Sequence, residues 1–216
     1  MAIHHHFYEI LFNLINAGRV KKIALLGDQL AINARFEFTP FVEYYDPNIR
    51  NTWYILEHPC YQDRLNNNAE YIHLDLNLIN SKNLPKFDLV IDGGTLEHVF
   101  NFPLALTEIW KSISVGGNLV GSYPINNLVD HGYWMPQPRL FRDFFRINGG
   151  DLESELFFSH EVNSIGVPIF EFFSYPMRDP ETMTQDESIK TSHTSGYFFI
   201  AAKKNNKDLI YPTEFD

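Results

Sequence analysis

The groups best suited to chemistry lie in Phe87–Phe100, which reads FDLVIDGGTLEHVF. Asp92 closes an apolar run there, and Glu97 and His98 follow shortly after it. A histidine whose pKa lies near the working pH can take the proton of a hydroxyl group. We therefore interpret His98 as a site residue, although a capping role stays open for it. Glu97 is interpreted as a capping residue at the start of the next helix.

A second histidine, His131, lies in the loop 130–134, which reads DHGYW. This loop follows the fifth predicted strand, where polar groups fall at the ligand-binding end of a parallel sheet. We predict that His131 acts as a general base or binds the substrate. The alternative is a loop histidine that closes a turn, and it stays open. A pocket for a small-molecule acceptor would be completed by Asn126, Asp130, Tyr133 and Trp134.

Oxygen and nitrogen donors for a cation are present in the same two regions, at Asp92, His98, Asp130 and His131. Their spacing along the chain matches no zinc signature. We therefore predict no metal in the site.

The element that must position Asp92 is the strand that precedes it. The run 87–91 is apolar except for Asp88 and rich in branched residues, as in a strand buried on both faces of a parallel sheet. Gly93 and Gly94 then allow a sharp turn or a close approach of the backbone to a ligand. Because open α/β sheets bind ligands beyond the carboxyl ends of their strands, a site is expected at this turn.

Seven strands are predicted along the chain, and helical patterns separate most of them. They are Ile23–Gly27, Thr52–Pro59, Ala69–Asn77, Phe87–Asp92, Asn118–Pro124, Glu153–Val162 and Thr194–Lys204. This alternation predicts an α/β fold with a doubly wound, mostly parallel, seven-stranded sheet. No helix is evident between the last two strands, which favours an antiparallel edge strand.

We predict a single domain over residues 1–216, since neither a repeat nor a linker interrupts the pattern. Residues 1–20 are predicted as an N-terminal helical segment. Residues 163–193, with mixed polarity and three prolines, are predicted as an excursion before the last strand. The excursion is interpreted as a substrate cover or as the contact of a homodimer, and the sequence leaves both alternatives open.

Composition and charge exclude several classes of function. A net charge of −10 without a basic cluster lacks the electrostatic footprint of a nucleic-acid binder. No apolar run approaches the roughly 20 residues of a membrane span, and the N-terminus lacks the features of a signal peptide. The single cysteine, Cys60, excludes an internal disulfide and fits a reducing compartment. We therefore predict a cytoplasmic protein that binds neither nucleic acid nor a membrane.

Two segments resemble parts of the class I S-adenosylmethionine (SAM)-dependent methyltransferases. FDLVIDGGTLEHV is similar to the fourth-strand motif of that superfamily, and LTEIWKSISVGGNLVGSYP to the helix, glycine turn and fifth strand that follow. DGGTLEHVFN, taken with SYPINNLVDHGYWMPQPRLFRDFFRINGG, resembles more closely a bacterial subgroup. Members of that subgroup often accompany genes for surface polysaccharides and secondary metabolites.

The resemblance implies a Rossmann-like fold with SAM bound at the strand ends. Gly27 would allow the backbone of the first loop to pass close to the cofactor. Asp28 and Gln29 would line the amino-acid end of SAM. Glu57 would accept hydrogen bonds from the ribose hydroxyls; a solvated strand end or a helix cap is the alternative. The usual GxGxG of the first loop is replaced here by IALLGDQ, with a single glycine.

The resemblance also assigns the ends of the third and fourth predicted strands. Leu74 and Asp75 would flank the adenine, with the carboxylate accepting from its amino group. For Asp75, a helix N-cap or turn residue is the alternative. Asp92 and Gly93 would line the methionine side of the cofactor.

The reaction implied by the resemblance is methyl transfer to a hydroxyl or phosphate-type oxygen of a small polar metabolite, such as a precursor of capsule or surface polysaccharide. Two other functions are weighed against it. A nucleotide-binding oxidoreductase is disfavoured because no G-x-G-x-x-G follows the first strand. A non-catalytic relative that binds a nucleotide-like ligand or a partner protein stays open because the glycine motif is reduced.

Overall fold

The computed structural model describes residues 2–4, 7–32, 37–61, 64–162, 168–173 and 195–212. Eleven strands are described: β1 Ala2–His4, β2 Lys22–Leu26, β3 Leu30–Ile32, β4 Phe38–Pro40, β5 Thr52–Glu57, β6 Glu70–His73, β7 Phe87–Asp92, β8 Ile113–Pro124, β9 Gly150–Val162, β10 Pro168–Phe173 and β11 Ser195–Lys203. The α-helices are α1 Tyr8–Ile15, α2 Phe41–Tyr45, α3 Phe102–Ser112 and α4 Pro138–Ile147. Short 3-10 turns lie at Leu76–Leu78, Ser81–Asn83 and Leu96–His98.

The main sheet has the strand order β10-β9-β11-β8-β7-β2-β5-β6. Neighbours from β6 to β8 pair in parallel, whereas β11 is antiparallel to both β8 and β9. The predicted α/β class with its mostly parallel sheet of seven strands is confirmed. The structure adds an eighth strand, β10, which pairs antiparallel with β9 and forms the edge. The antiparallel β11 therefore lies third from this edge, between β9 and β8.

Helices cover both faces of this sheet, as a doubly wound fold requires. On one face, α3 and α4 contribute Phe102, Trp110 and Phe141 to a buried cluster that includes Val90 of β7. On the other face, α1 and α2 share a buried cluster with Ile91 of the same strand. Neighbouring residues of β7 thus face opposite layers, which explains its almost continuous apolar run.

A smaller sheet of three strands stands beside the main one. In it, β3 pairs in parallel with β1 and antiparallel with β4. The sequence pattern from Leu30 to Phe36 predicts a short helix, and this prediction is wrong for Leu30–Ile32. Residues 33–36 lie outside the described residues, as do 163–167 and 174–193 of the predicted excursion.

A membrane-crossing helix is not found within the described ranges, because none of the helices there is both long and apolar enough.

Candidate functional site

The loop after β2 turns at Gly27, whose φ of +72° lies in the left-handed region that glycine adopts without strain. The Gly27 N–H donates to the carbonyl of Leu56 in β5 at 2.9 Å. A Cβ added at Gly27 would lie 3.0 Å from Oγ1 of Thr95. Glycine is therefore favoured here both by the turn and by the close approach of the loop that follows β7.

Asp28 is bonded within the protein. Its carboxylate accepts the N–H of Leu65 at 2.6 Å, the side-chain amide of Asn66 at 2.5 Å and the hydroxyl of Tyr71. Burial, together with the bond to Asp28, raises the pKa of Tyr71, so this hydroxyl stays protonated. Asp28 thus ties the loop after β2 to β6 and to the segment that precedes it.

Gln29 is buried beneath the same loop. Its side-chain amide donates to the carbonyl of Leu26 at 2.6 Å and to Oγ1 of Thr95 at 3.1 Å. Its Oε1 is buried and has no hydrogen-bond partner among the residues that the structure describes. Because an unpaired buried acceptor costs free energy, this atom would gain from a donor on a bound ligand.

Glu57, at the end of β5, is held beside the first loop. Its Oε2 accepts the N–H of Asp28 at 2.7 Å, and its Oε1 accepts the N–H of His58 at 2.7 Å. A carboxylate offers about four lone-pair sites, so each oxygen can still accept a further bond. The two backbone N–H groups therefore orient this carboxylate, and its oxygens can still accept hydrogen bonds from a ligand.

The residues that follow β6 lie beside the end of β5. The N–H of Leu74 donates to the carbonyl of Glu57 at 2.9 Å, which places the two strand ends side by side. Asp75 is the N-cap of the Leu76–Leu78 turn and accepts the N–H of Asn77 at 2.8 Å. That bond lowers the pKa of Asp75. Asp75 thus has the capping role considered from the sequence and also borders the cleft described next.

These strand ends enclose a cleft of about 680 Å³. The predicted site residues that it brings together are Gly27, Asp28, Gln29, Glu57, Leu74, Asp75, His98 and Tyr133. Sequence reasoning missed the other lining residues: Leu56, His58, Tyr61, Leu76, Asn77, Thr95, Val99 and Phe100. Their only sequence signal is position, since most lie within a few residues of a strand end that carries a predicted residue.

Asp92 and Gly93 are not among the residues that line the cleft. The Asp92 side chain is fully buried and accepts the backbone N–H groups of Gly94, Thr95 and Leu96 at 3.1, 2.6 and 3.3 Å. The hydroxyl of Tyr123 is a further donor. Asp92 therefore shapes the turn after β7 from within the protein.

At one side of the cleft, Glu97, His98 and His131 converge. Oε1 of Glu97 lies 3.8 Å from Nε2 of His98 and 3.7 Å from Nε2 of His131. The two imidazole centroids are 5.0 Å apart. Both histidine side chains are more than a third exposed, whereas the glutamate side chain is 1% exposed. His98 also lines the cleft, so this cluster borders the space enclosed by the strand ends.

This cluster is the one group of potential metal ligands found in the described part of the chain, with its donor atoms within 4.8 Å of one another. It differs from the donor set considered from the sequence. The two histidines are shared, but the carboxylate is Glu97 rather than Asp92 or Asp130. The structure therefore gives Glu97, interpreted from the sequence as a capping residue, a place beside the two histidines.

Burial controls the charge states of Glu97 and His98. Desolvation, and then the charge of Asp92, raise the pKa of Glu97 well above its usual value. Desolvation also raises the pKa of Asp92, but four hydrogen-bond donors oppose it there. Oε2 of Glu97 has no such donor among the described residues, so the negative charge is more stable on Asp92 and the proton is more stable on Glu97. Burial, followed by the neighbouring His131, lowers the pKa of His98, which favours its neutral imidazole.

Exposed aromatic side chains stand at the mouth of the cleft. Phe100 and Tyr133 are 72% and 69% exposed, and their ring centroids are 5.6 Å apart. Trp134 donates from Nε1 to the carbonyl of Phe100 at 3.2 Å. Asn126, Asp130 and Trp134 do not line the cleft. Of the residues predicted to form the acceptor pocket, Tyr133 alone is a lining residue.

Solved structures of methyltransferases share this fold. NodS, an N-methyltransferase from Bradyrhizobium japonicum, superposes with a TM-score of 0.54 at 11% identity, over 93% of this chain and 96% of that one. A second NodS structure is a complex with S-adenosyl-L-homocysteine. TehB from Haemophilus influenzae gives a TM-score of 0.56 at 10% identity, over 91% of this chain and 62% of that one.

A third similar structure is the O-MT segment of StiE, with a TM-score of 0.52 at 12% identity. The match covers 71% of this chain and only 54% of the StiE segment, so the chain spans about half of that structure. No protein-family model matches the chain, and no curated protein matches it significantly. Identities this low show the fold alone. An N- and an O-methyltransferase are both among the similar structures, so the acceptor atom is not distinguished.

Proposed function

We propose that the protein is a SAM-dependent methyltransferase that methylates a hydroxyl or phosphate-type oxygen of a small polar metabolite. The observation that carries this proposal is the cleft at the carboxyl ends of β2, β5, β6 and β7, with the oriented carboxylate of Glu57 in its wall. The shared fold of NodS, which was crystallised with S-adenosyl-L-homocysteine, supports the choice of cofactor.

The lining residues fit the chemical groups of SAM. Glu57 would accept hydrogen bonds from the ribose hydroxyls, as acidic residues at this position do in other nucleotide sites. The unpaired Oε1 of Gln29 would accept from the ammonium of the methionine part. Gly27, with no side chain, keeps the loop open beside that part, and Asp75 with Leu74 would border the adenine.

When bound, SAM supplies an electrophilic methyl group on a sulfonium centre. A hydroxyl acceptor must lose its proton as its oxygen bonds to the methyl carbon, while the electron pair of the carbon–sulfur bond goes to sulfur. His98 and His131 lie beside the cleft and are the residues proposed to assist this proton loss, with His131 as a general base. The exposed rings of Phe100 and Tyr133 would contact the acceptor. The sequence resemblance favours a surface-polysaccharide precursor as that acceptor.

Calorimetric titration with SAM and S-adenosylhomocysteine tests the proposal. We expect micromolar affinity for both in the wild type, and a loss of at least about tenfold in Glu57→Ala, because bonds to a charged group are removed. Glu70→Ala is the matched control, since Glu70 is exposed at the opposite end of β6. Absence of binding at millimolar ligand, or equal affinity of wild type and Glu57→Ala, would contradict the proposal.

A further inference from the structure

The arrangement of Glu97, His98 and His131 combines one carboxylate with two imidazoles at a solvent-accessible wall. Both Nε2 atoms approach the same carboxylate oxygen, at 3.8 and 3.7 Å. The second oxygen, Oε2, is buried and has no hydrogen-bond partner within the described part of the chain. In its charged form, which metal binding requires, a buried carboxylate needs a cation or hydrogen-bond donors as partners. Among the described residues, Glu97 forms ion contacts only with the two histidines.

Backbone contacts hold the three side chains in place. The N–H of Trp134 donates to the carbonyl of Glu97 at 3.1 Å. A Cβ added at Gly132 would lie 2.8 Å from that carbonyl oxygen, so only glycine allows the loop this close. The N–H of His131 donates to the carbonyl of Leu128 at 3.2 Å. The loop after β8 is therefore fixed on the Leu96–His98 turn, and the cluster does not depend on long mobile side chains alone.

We propose that Glu97, His98 and His131 bind a divalent transition-metal ion at the side of the cleft. Three donors on one ion with bonds of about 2.1 Å lie roughly 3.0–3.5 Å apart. Oε1 of Glu97 lies 3.7 and 3.8 Å from the two Nε2 atoms, and all donor atoms lie within 4.8 Å of one another, so side-chain rotations must bring them into this range. Two imidazoles and one carboxylate favour zinc, cobalt, manganese or ferrous ions over magnesium or calcium.

The role of the ion follows from its position and rests on the proposed methyltransferase function. His98 lines the cleft, so an ion on this residue is accessible to an acceptor there. Three protein ligands leave coordination positions open for that acceptor. A hydroxyl beside a divalent cation loses its proton more readily. With the ion bound, the two imidazoles would act as ligands, which would replace the general-base role proposed for His131, and the hydroxyl proton would pass to water.

Titration of the full chain with Co²⁺, followed by visible absorption and by Zn²⁺ competition, tests this inference. We expect one ion per chain at the cluster, and at least about a tenfold loss of affinity in His131→Ala, His98→Ala and Glu97→Gln. His73→Ala, which removes an exposed histidine outside the cleft, is the matched control. The triple substitution of His4, His5 and His6 by Ala removes the histidine run near the N-terminus as a competing metal site.

Several outcomes decide the question. Unchanged Co²⁺ affinity in His131→Ala and His98→Ala, which replace exposed side chains and are expected to keep the fold, would overturn the proposal. The proposal would also be overturned if the triple substitution of His4, His5 and His6 abolished all Co²⁺ binding while the cluster remained intact. A parallel titration with S-adenosylhomocysteine separates this inference from the proposed function. Metal binding without S-adenosylhomocysteine binding contradicts the function alone, and S-adenosylhomocysteine binding without metal binding contradicts the metal site alone.

Discussion

The hydroxyl of Tyr123 in β8 donates a hydrogen bond of 2.5 Å to Oδ2 of Asp92 in the neighbouring strand β7. Both side chains are buried, and Asp92 also receives three backbone N–H groups of the turn that follows. This bond therefore joins the strand that precedes the histidine loop to the turn that carries Glu97. Asp92 therefore links the two elements that position the cluster: the turn that carries Glu97 and His98, and the strand that precedes the loop with His131.

Tyr123→Phe is expected to lower the free energy of unfolding by about 1–3 kcal/mol, because a buried carboxylate loses a donor. Urea denaturation of wild type and variant measures this difference. Tyr54→Phe is the control, since the Tyr54 ring packs on Phe87 and no hydroxyl bond is described for it. We expect that control to remain within about 0.5 kcal/mol of the wild type. Equal losses in the two variants would show that the bond to Asp92 contributes nothing specific.

Glu97 is expected to make the wild-type protein less stable as the pH rises. Its folded-state pKa is raised above the ordinary value of 4.5 by burial and by Asp92. Its contribution to stability is therefore fully present below that value and is lost as the pH rises through the folded-state pKa. Glu97→Gln lacks this titration. Relative to wild type, the variant should gain free energy of unfolding from about pH 5 upward, by at most about 1.4 kcal/mol per pH unit.

Urea denaturation at several pH values, in the presence of a chelator, checks the Glu97 prediction. The chelator keeps any bound ion from stabilising the charged carboxylate. Asp92, His98 and His131 lie beside residue 97 in both proteins, so only the difference between wild type and variant is informative. A difference that is constant with pH would contradict the raised pKa of Glu97.

Tyr71→Phe is expected to loosen the first loop. The hydroxyl of Tyr71 donates to Asp28 and accepts the N–H of Asn66 at 3.2 Å. Its removal should lower the free energy of unfolding by about 1 kcal/mol and weaken S-adenosylhomocysteine binding. Calorimetry and urea denaturation measure the two effects, again with Tyr54→Phe as control. Unchanged affinity would mean that the loop holds its position through Leu65 and Asn66 alone.

The class of the sheet could be predicted because its signals are local. The apolar run of β7 indicates a strand buried on both faces, and the alternation with helices gives the parallel sheet. The place of β11 could not be predicted in this way. It depends on pairing with both β8 and β9, which are distant in sequence. Leu30–Ile32 was predicted incorrectly for the same reason, since pairing with β1 and β4 decides its conformation.

Within the candidate site, position along the chain was easier to predict than side-chain direction. The resemblance assigned Gly27, Glu57 and Asp75 to the site, and they line the cleft because the topology brings the strand ends together. Asp92 ends a strand too, but it turns inward because donors from Tyr123 and from its own turn receive it. No local pattern reports such a bond between strands.

Gly27→Ala is expected both to destabilise the protein and to weaken cofactor binding. At a φ of +72° a Cβ is strained, and this Cβ would lie 3.0 Å from Oγ1 of Thr95. That hydroxyl donates to the carbonyl of Leu26 at 2.5 Å and accepts from Gln29. The loop must therefore shift in the part that lines the cleft. We expect a loss of about 1 kcal/mol or more in the free energy of unfolding, and a lower affinity for S-adenosylhomocysteine.

Substitutions at Gly116 and Gly18 are controls that distinguish backbone strain from displacement of the first loop. Gly116 has a φ of +86° but no atom within 4 Å of an added Cβ, and it lies near the start of β8, away from the cleft. Gly18 has neither a positive φ nor a close neighbour. Gly116→Ala should therefore lose stability without losing affinity, and Gly18→Ala should lose neither. If Gly27→Ala bound S-adenosylhomocysteine as tightly as Gly116→Ala does, the first loop would not contact the cofactor, because a strained and displaced loop cannot leave a direct contact unchanged.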